Sequence, residues 1–119
     1  MVWKLDKAKP ICPQIYEHFC IEIAKGDIKF EDKLPSVREI ALEAGVNPNT
    51  VQKAFEMLEN SALVYSVRGS GWFVSDNKSA AEEIVNNLIK EKTEQYFEGM
   101  RAFLLSDEQI KKYVEEWDK

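Results

Sequence analysis

Three pieces of one stretch decide the fold: Lys33-Leu34-Pro35-Ser36-Val37-Arg38-Glu39-Ile40-Ala41, then Gly45-Val46-Asn47-Pro48-Asn49-Thr50-Val51-Gln52-Lys53-Ala54, then Arg68-Gly69-Ser70-Gly71-Trp72-Phe73-Val74. Ser36-Val37-Arg38-Glu39 has the form of a capping box, in which the serine accepts from the amide three residues on and the glutamate reaches back. It predicts a helix to about Glu43, with Val37, Ile40, Ala41 and Ala44 turned inward and Arg38 off that face. Gly45 permits a tight turn. Asn47 then reads as an N-cap and Pro48 as the first helical residue. Val51, Ala54, Phe55 and Leu58 recur at i, i+3, i+4 and i+7, a buried stripe on that second helix. Asn60-Ser61 ends it. Leu63 to Val67 and Trp72 to Val74 read as strands joined by a glycine-rich turn with one positive charge, Arg68. Two helices joined through a glycine turn and followed by a hairpin make a winged helix-turn-helix.

Working outward, Pro13 to about Lys25 forms a helix that buries Ile15, Phe19, Cys20 and Ile23 and stops at Gly26. Residues 1–10 read as an extended arm, with Trp3 and Leu5 free to pack. Residues 26–34 read as a loop or short strand. Beyond the hairpin, a long helix from about Ser79 to Leu105 carries a broad apolar band: Ala81, Ile84, Val85, Leu88, Ile89, Tyr96, Phe97, Met100, Phe103 and Leu104. Ser106-Asp107-Glu108-Gln109 is a second capping box. It opens a last helix with Ile110, Tyr113, Val114 and Trp117. Two helices cannot cover that much apolar surface alone, so they pack on the winged domain, on a second copy, or on both. The fold class expected is mainly α with a small β-hairpin. The division expected is a winged helix-turn-helix over 1–76 and a helical tail over 77–119.

Composition sets bounds. The chain has 119 residues, 45% of them hydrophobic, enough for a core of ordinary size. No apolar run approaches the roughly 18 residues needed to cross a bilayer. Nothing at Met1-Val2-Trp3-Lys4-Leu5-Asp6 reads as a secretory signal, so a cytoplasmic protein without a membrane partner is expected. Cys12 and Cys20 lie eight positions apart, a geometry that suits neither a disulfide nor a zinc site; they read as buried thiols. His18 is the single histidine and reads as a surface or half-buried residue. No nucleophile–base pair, metal spacing or cofactor loop is present, which argues against an enzyme, a cofactor or a metal site. The net charge of −5 argues mildly against nucleic acid. Binding needs only a basic face, however, and Lys33, Arg38, Lys53 and Arg68 fall where the motif would meet DNA. The acids Glu43, Glu56 and Glu59 are expected toward helix ends or outer faces.

The residues left facing outward at the start of the second helix are Asn49, Thr50, Gln52 and Lys53. They are hydrogen-bonding side chains at the end that would enter a major groove. With Leu34 to Glu39, Val46 to Val51 and Arg68 to Val74, this passage resembles the GntR family of bacterial winged-helix transcription regulators. The likeness spans about residues 10–76 and includes Pro10-Ile11 and Gln14-Ile15. It implies that Arg38, Asn49, Thr50, Gln52, Arg68 and Gly69 lie at or near DNA. With Asn47, Lys53 and Ser70 these make up the candidate DNA-binding set. Many relatives carry Arg where Pro48 and Gln52 stand, Gly where Ala62 stands, and Thr where Trp72 stands. Only residues 75–119 follow the wing, which resembles the YtrA-like subgroup, whose two-helix tails serve dimerisation. Ile84, Val85, Leu88, Tyr96, Phe97, Met100, Phe103, Leu104, Tyr113 and Trp117 are the candidate dimer interface. The function expected is a homodimeric regulator, a repressor more readily than an activator, on a palindromic double-stranded operator. An unidentified small-molecule effector would act through the tail. The alternative is a winged helix that binds protein rather than DNA.

Overall fold

The structure is a computed structural model and describes residues 3–118. Met1 and Val2 of the expected arm, and Lys119 of the tail, lie outside that range. Helix α1 (Ile11–Lys25) starts two residues before the expected Pro13, because Pro10 takes the N-cap and Pro13 falls in the first turn, where no amide hydrogen is required. Helices α2 (Val37–Ala44) and α3 (Pro48–Asn60) follow, then strands β1 (Val64–Val67) and β2 (Gly71–Val74), then α4 (Lys78–Arg101) and α5 (Asp107–Glu115). The chain divides into two compact units, one up to Val85 and one from Asn86 onward. The first takes in the opening turns of α4, past the expected division at residue 76. No described helix is long and apolar enough to cross a membrane.

In the first unit α3 is the central element, packed on α1, α2 and β1. Val51, Ala54, Phe55 and Leu58 are fully buried, as the i, i+3, i+4, i+7 spacing requires. The Phe55 ring meets Phe19 of α1 edge-on at 5.7 Å and Trp72 of β2 at 5.6 Å, so one side chain joins three elements. Ile15, Phe19, Cys20 and Ile23 close the core from α1, and Ile40 and Ala41 from α2. Ala81 is also fully buried there, with Ile84 and Val85 packed against the cluster.

Local hydrogen bonds set the helix limits as the sequence predicts. Ser36 Oγ accepts from the Glu39 amide at 3.0 Å while Glu39 Oε1 accepts from the Ser36 amide at 3.2 Å. Asn47 Oδ1 accepts from the Asn49 amide at 2.8 Å and Pro48 opens α3. The far end of α3 has a feature the pattern did not expose. The Leu63 amide donates to Leu58 O at 3.0 Å and the Ala62 amide to Glu59 O at 2.9 Å, the paired bonds of a Schellman stop. That stop places Ala62 in the left-handed region, φ 61°, at the position where the family resemblance implies glycine.

The hairpin gains a third participant. Lys33 pairs with Phe73 in a single antiparallel bridge, the Leu34 amide donates to Trp72 O, and the Val74 amide donates to Asp32 O. The expected loop or short strand is therefore an edge segment, tied to the hairpin by long-range bonds that local sequence does not show. The arm is held too. The Gln14 side chain both accepts from the Asp6 amide and donates to Asp6 O, and Lys7 Nζ donates to Ala44 O and Gly45 O at the turn between α2 and α3. A lysine on the last carbonyls of a helix complements its negative end. Trp3 lies 4.4 Å from the half-buried His18 ring and edge-on to Phe19.

Cys20 is buried, and burial pushes its thiol up to about 11. Cys12 is half-buried rather than buried, with its thiol 3.5 Å from Met57 Sδ.

In the second unit, α4 stops at Arg101 rather than near Leu105. Arg101 donates through Nε and Nη2 to both carboxylate oxygens of Asp107, and through Nη1 to Glu94. Its guanidinium also stands 5.7 Å from the Phe97 ring centre. The α4–α5 turn thus closes on one arginine, and the α5 capping box of Ser106 and Gln109 forms as expected. Ile110 is buried; Phe103, Leu104, Tyr113, Val114 and Trp117 are exposed.

Two outcomes follow for stability. An L-residue in the left-handed region costs about 1 kcal/mol that glycine avoids, so Ala62→Gly raises the urea midpoint and lifts the melting temperature by a few degrees. A lowered midpoint would show that the stop is not strained. Burial lowers the His18 pKa, against a smaller upward pull from Glu22. The unfolded chain therefore takes up the proton first. The stability this contributes is present above the ordinary histidine pKa of about 6.5 and lost as pH falls below it. His18→Phe flattens that part of the stability–pH curve, which urea unfolding between pH 7 and 5 measures.

Candidate nucleic-acid interface

Burial of one face of α3 dictates what the other face can do. Asn49 and Lys53 are exposed, and Thr50 and Gln52 are half-buried. The first turn of α3 carries no acidic side chain, and its amides are engaged by Asn47, Asn49 with Oδ1 and Thr50 and Val51 with the backbone oxygen. Asn47, expected as a contact, has its Oδ1 committed to the cap, which leaves its amide nitrogen as a donor. Lys53 stands one turn further along and is paired with no carboxylate among the described residues.

Arg38 sits on the exposed side of α2, two residues past the capping serine. Its position is fixed from both directions, since α2 packs on α3 and Leu34 is tied to the wing strand. At the tip of the hairpin the Ser70 amide donates to Val67 O at 2.9 Å. Gly69 has φ 82°, the third-position value of a type II turn. A Cβ built on Gly69 would meet nothing within 4 Å, so the backbone of the tip is open to close approach. Arg68 and Ser70 are exposed beside it.

Lys33, expected where the motif would meet DNA though not in the candidate contact set, lies beside the wing. A Cβ on Gly71 would lie 3.2 Å from Lys33 Cε, so the lysine stem runs across that glycine. The signal missed was the long-range bridge between Lys33 and Phe73. Among the described residues Lys33, Arg38, Lys53 and Arg68 form no ion pair. The acids of α3 are exposed, with Glu59 in its last turn. Glu59 Oε2 accepts from Ser66 Oγ of β1 at 3.1 Å. Glu56 is not remote from the outward face: its carboxylate accepts from Gln52 Nε2 at 3.3 Å.

The residues expected at a dimer face divide between the two units. Ile84 and Val85 pack against the core of the first. In the second, Leu88, Phe97 and Met100 are half-buried, while Leu104 is 93%, Phe103 75% and Trp117 70% exposed. Tyr96 and Tyr113 are exposed less fully.

Comparison with known proteins gives this geometry a family. The profile of the gntR family of bacterial regulatory proteins matches residues 13–74. The HTH-type transcriptional regulator YhcF of Bacillus subtilis is 31% identical over 107 residues, covering 90% of this chain and 88% of that protein. The HTH-type transcriptional repressor YtrA of the same organism is 41% identical over 87 residues, covering 72% and 67%. A GntR family transcriptional regulator from Listeria monocytogenes superposes with a TM-score of 0.80 at 35% identity, over 96% of this chain and all of that one. The DNA-binding domain of AraR, solved in complex with an operator, superposes with a TM-score of 0.54 at 32% identity, over 63% of this chain and 92% of that one. The chain belongs to the gntR family of bacterial regulatory proteins and, within it, to the YtrA type.

Proposed function

We propose that two copies of this chain bind a palindromic operator and act as a repressor. The observation that carries the reading is the open face built by α3, the start of α2 and the wing. It joins cations that form no ion pair among the described residues, hydrogen-bonding side chains and an acid-free helix start, all fixed to one core. The acid-free end of α3 enters the major groove and presents Asn49, Thr50, Gln52 and Lys53 to base edges. Arg38 and Lys33 hold phosphates, and the Arg68-Gly69-Ser70 tip lies along the backbone or in the adjacent minor groove. The AraR domain is solved on an operator and superposes on this chain, and YtrA bears the name of a repressor; both support the reading.

Homodimerisation is supported by the second unit. Leu104, Phe103 and Trp117 expose large apolar surfaces that water solvates poorly and that a second copy would cover. A dimer places two recognition helices about one helical turn apart, roughly 34–36 Å, and adds two modest binding free energies, which multiplies the affinity.

Two experiments test these statements. Selection of bound duplexes from a random pool enriches an inverted repeat, and Arg38→Ala and Arg68→Ala each weaken its binding about tenfold or more and shrink the log–log salt slope by about one. Winged-helix protein docking without DNA contact predicts no enrichment and no salt dependence. For the dimer, Leu104→Asn is chosen because Leu104 has φ 62°, a conformation asparagine tolerates. Paired with Trp117→Ala, it shifts sedimentation from dimer to monomer while circular dichroism stays unchanged. A dimer of undiminished stability would place the interface elsewhere.

A further inference from the structure

The pair formed by Gln52 and Glu56 sits on the exposed stripe of α3 that also carries Asn49 and Lys53, and its chemistry is one-directional. An ionised carboxylate has no hydrogen to give, so the side-chain amide of Gln52 must turn its nitrogen toward Glu56. The 3.3 Å contact thereby uses one amide hydrogen and points Oε1 away from the carboxylate. Among the described residues Oε1 has no hydrogen-bond donor. The side chain is half-buried, which limits the rotamers open to it. A glutamine left free could present either end to a base; this one is oriented before DNA arrives.

We infer that Gln52 and Glu56 act as one specificity-determining unit that selects adenine and refuses guanine at one position of each operator half-site. The inference rests on the regulator reading above and adds to it the chemistry of a base. Adenine offers an N6 donor and an N7 acceptor in the major groove. Oε1 of Gln52 accepts from N6, and the amide hydrogen not held by Glu56 donates to N7. Guanine presents acceptors at both O6 and N7. Oε1 would then face a lone pair, and the Glu56 carboxylate behind it adds a negative charge that nothing on guanine neutralises. Thymine fails for the same reason at O4, and cytosine, with one N4 donor, ranks second. Glu56 does not need to touch the base. It acts by fixing the amide and by setting the sign of the local field.

An i, i+4 Gln–Glu pair is also an ordinary helix-surface contact, so stability cannot distinguish the two roles. Base preference can. Random-duplex selection is run on the wild type, Gln52→Ala and Glu56→Ala, with helicity checked by circular dichroism. Gln52→Ala identifies its position as the one whose preference flattens. In the wild type that position is adenine, with guanine disfavoured about tenfold or more. Glu56→Ala brings guanine to within about twofold of adenine there and leaves every other position unchanged. Any general rise in affinity from removing a negative charge appears equally at all positions, and so does not mimic this result. Guanine or thymine at the Gln52 position in the wild type overturns the inference, as does undiminished discrimination in Glu56→Ala, or a Gln52→Ala profile identical to the wild type. Failure of the wild type to enrich any duplex defeats the regulator reading itself, and this inference falls with it.

Discussion

The first unit depends on one helix that is buried along one stripe and open along the opposite one. Val51, Ala54, Phe55 and Leu58 must leave water, and burial of each of the three larger side chains contributes roughly 1.5–3 kcal/mol. Only one rotation of α3 about its axis achieves this. That rotation turns Asn49, Gln52, Lys53 and Glu56 outward. The proposed contact face is thus a by-product of core packing, and its side chains need no separate positioning device. Phe55 carries the constraint furthest, because α1 and the hairpin both meet its ring.

A helix fixed in rotation must also be fixed at its ends if its outward side chains are to address a groove reproducibly. Asn47 and Pro48 settle the start. The stop at Ala62 settles the finish and is held a second time, since Asn77 Nδ2 donates to Ala62 O at 3.1 Å. The carbonyl of that same asparagine accepts from the Ala80 and Ala81 amides in the first turn of α4. One residue therefore touches both the end of α3 and the start of α4. On the other side, Lys7 of the arm reaches the carbonyls at the Gly45 turn. Helix α3 is bounded by ties from both directions along the chain, and each costs little desolvation because the groups are exposed.

Much of this was legible because its causes are local. A capping box, an Asn-Pro helix start and a period of 3.6 are properties of a few consecutive residues, and Ser36, Asn47 and the Val51 stripe behave as such rules require. The misses share a different cause. The edge segment around Lys33 exists only through pairing with Phe73, forty positions away. The early end of α4 follows from Arg101 finding Asp107 across a turn, while Phe103 and Leu104 continue the apolar pattern that suggests more helix. Cys12 and the first turns of α4 were likewise placed by what packs on them. For the contact face, residue types were readable but their mutual bonds were not. Glu56 was expected toward a helix end or outer face, and its bond to Gln52 depends on side-chain rotamers that residue types do not show.

The same distinction resolves the conflict between an acidic chain and a nucleic-acid partner. Net charge sums groups that differ in how they are engaged. In the first unit Glu39 closes a cap, Glu59 holds Ser66, Asp32 accepts from the Lys29 amide and Asp27 pairs with Lys25. Those carboxylates are tied to nearby donors. Lys33, Arg38, Lys53 and Arg68 have no carboxylate partner among the described residues, so their fields are compensated mainly by water and salt. At physiological ionic strength a field is screened over about 8 Å, so a phosphate at the α3 face would sense these cations and Glu56 more than acids farther away. An excess of carboxylates elsewhere lowers non-specific attraction to DNA without weakening the contacts themselves. A reader that must find one operator among many competing sites gains discrimination from that imbalance.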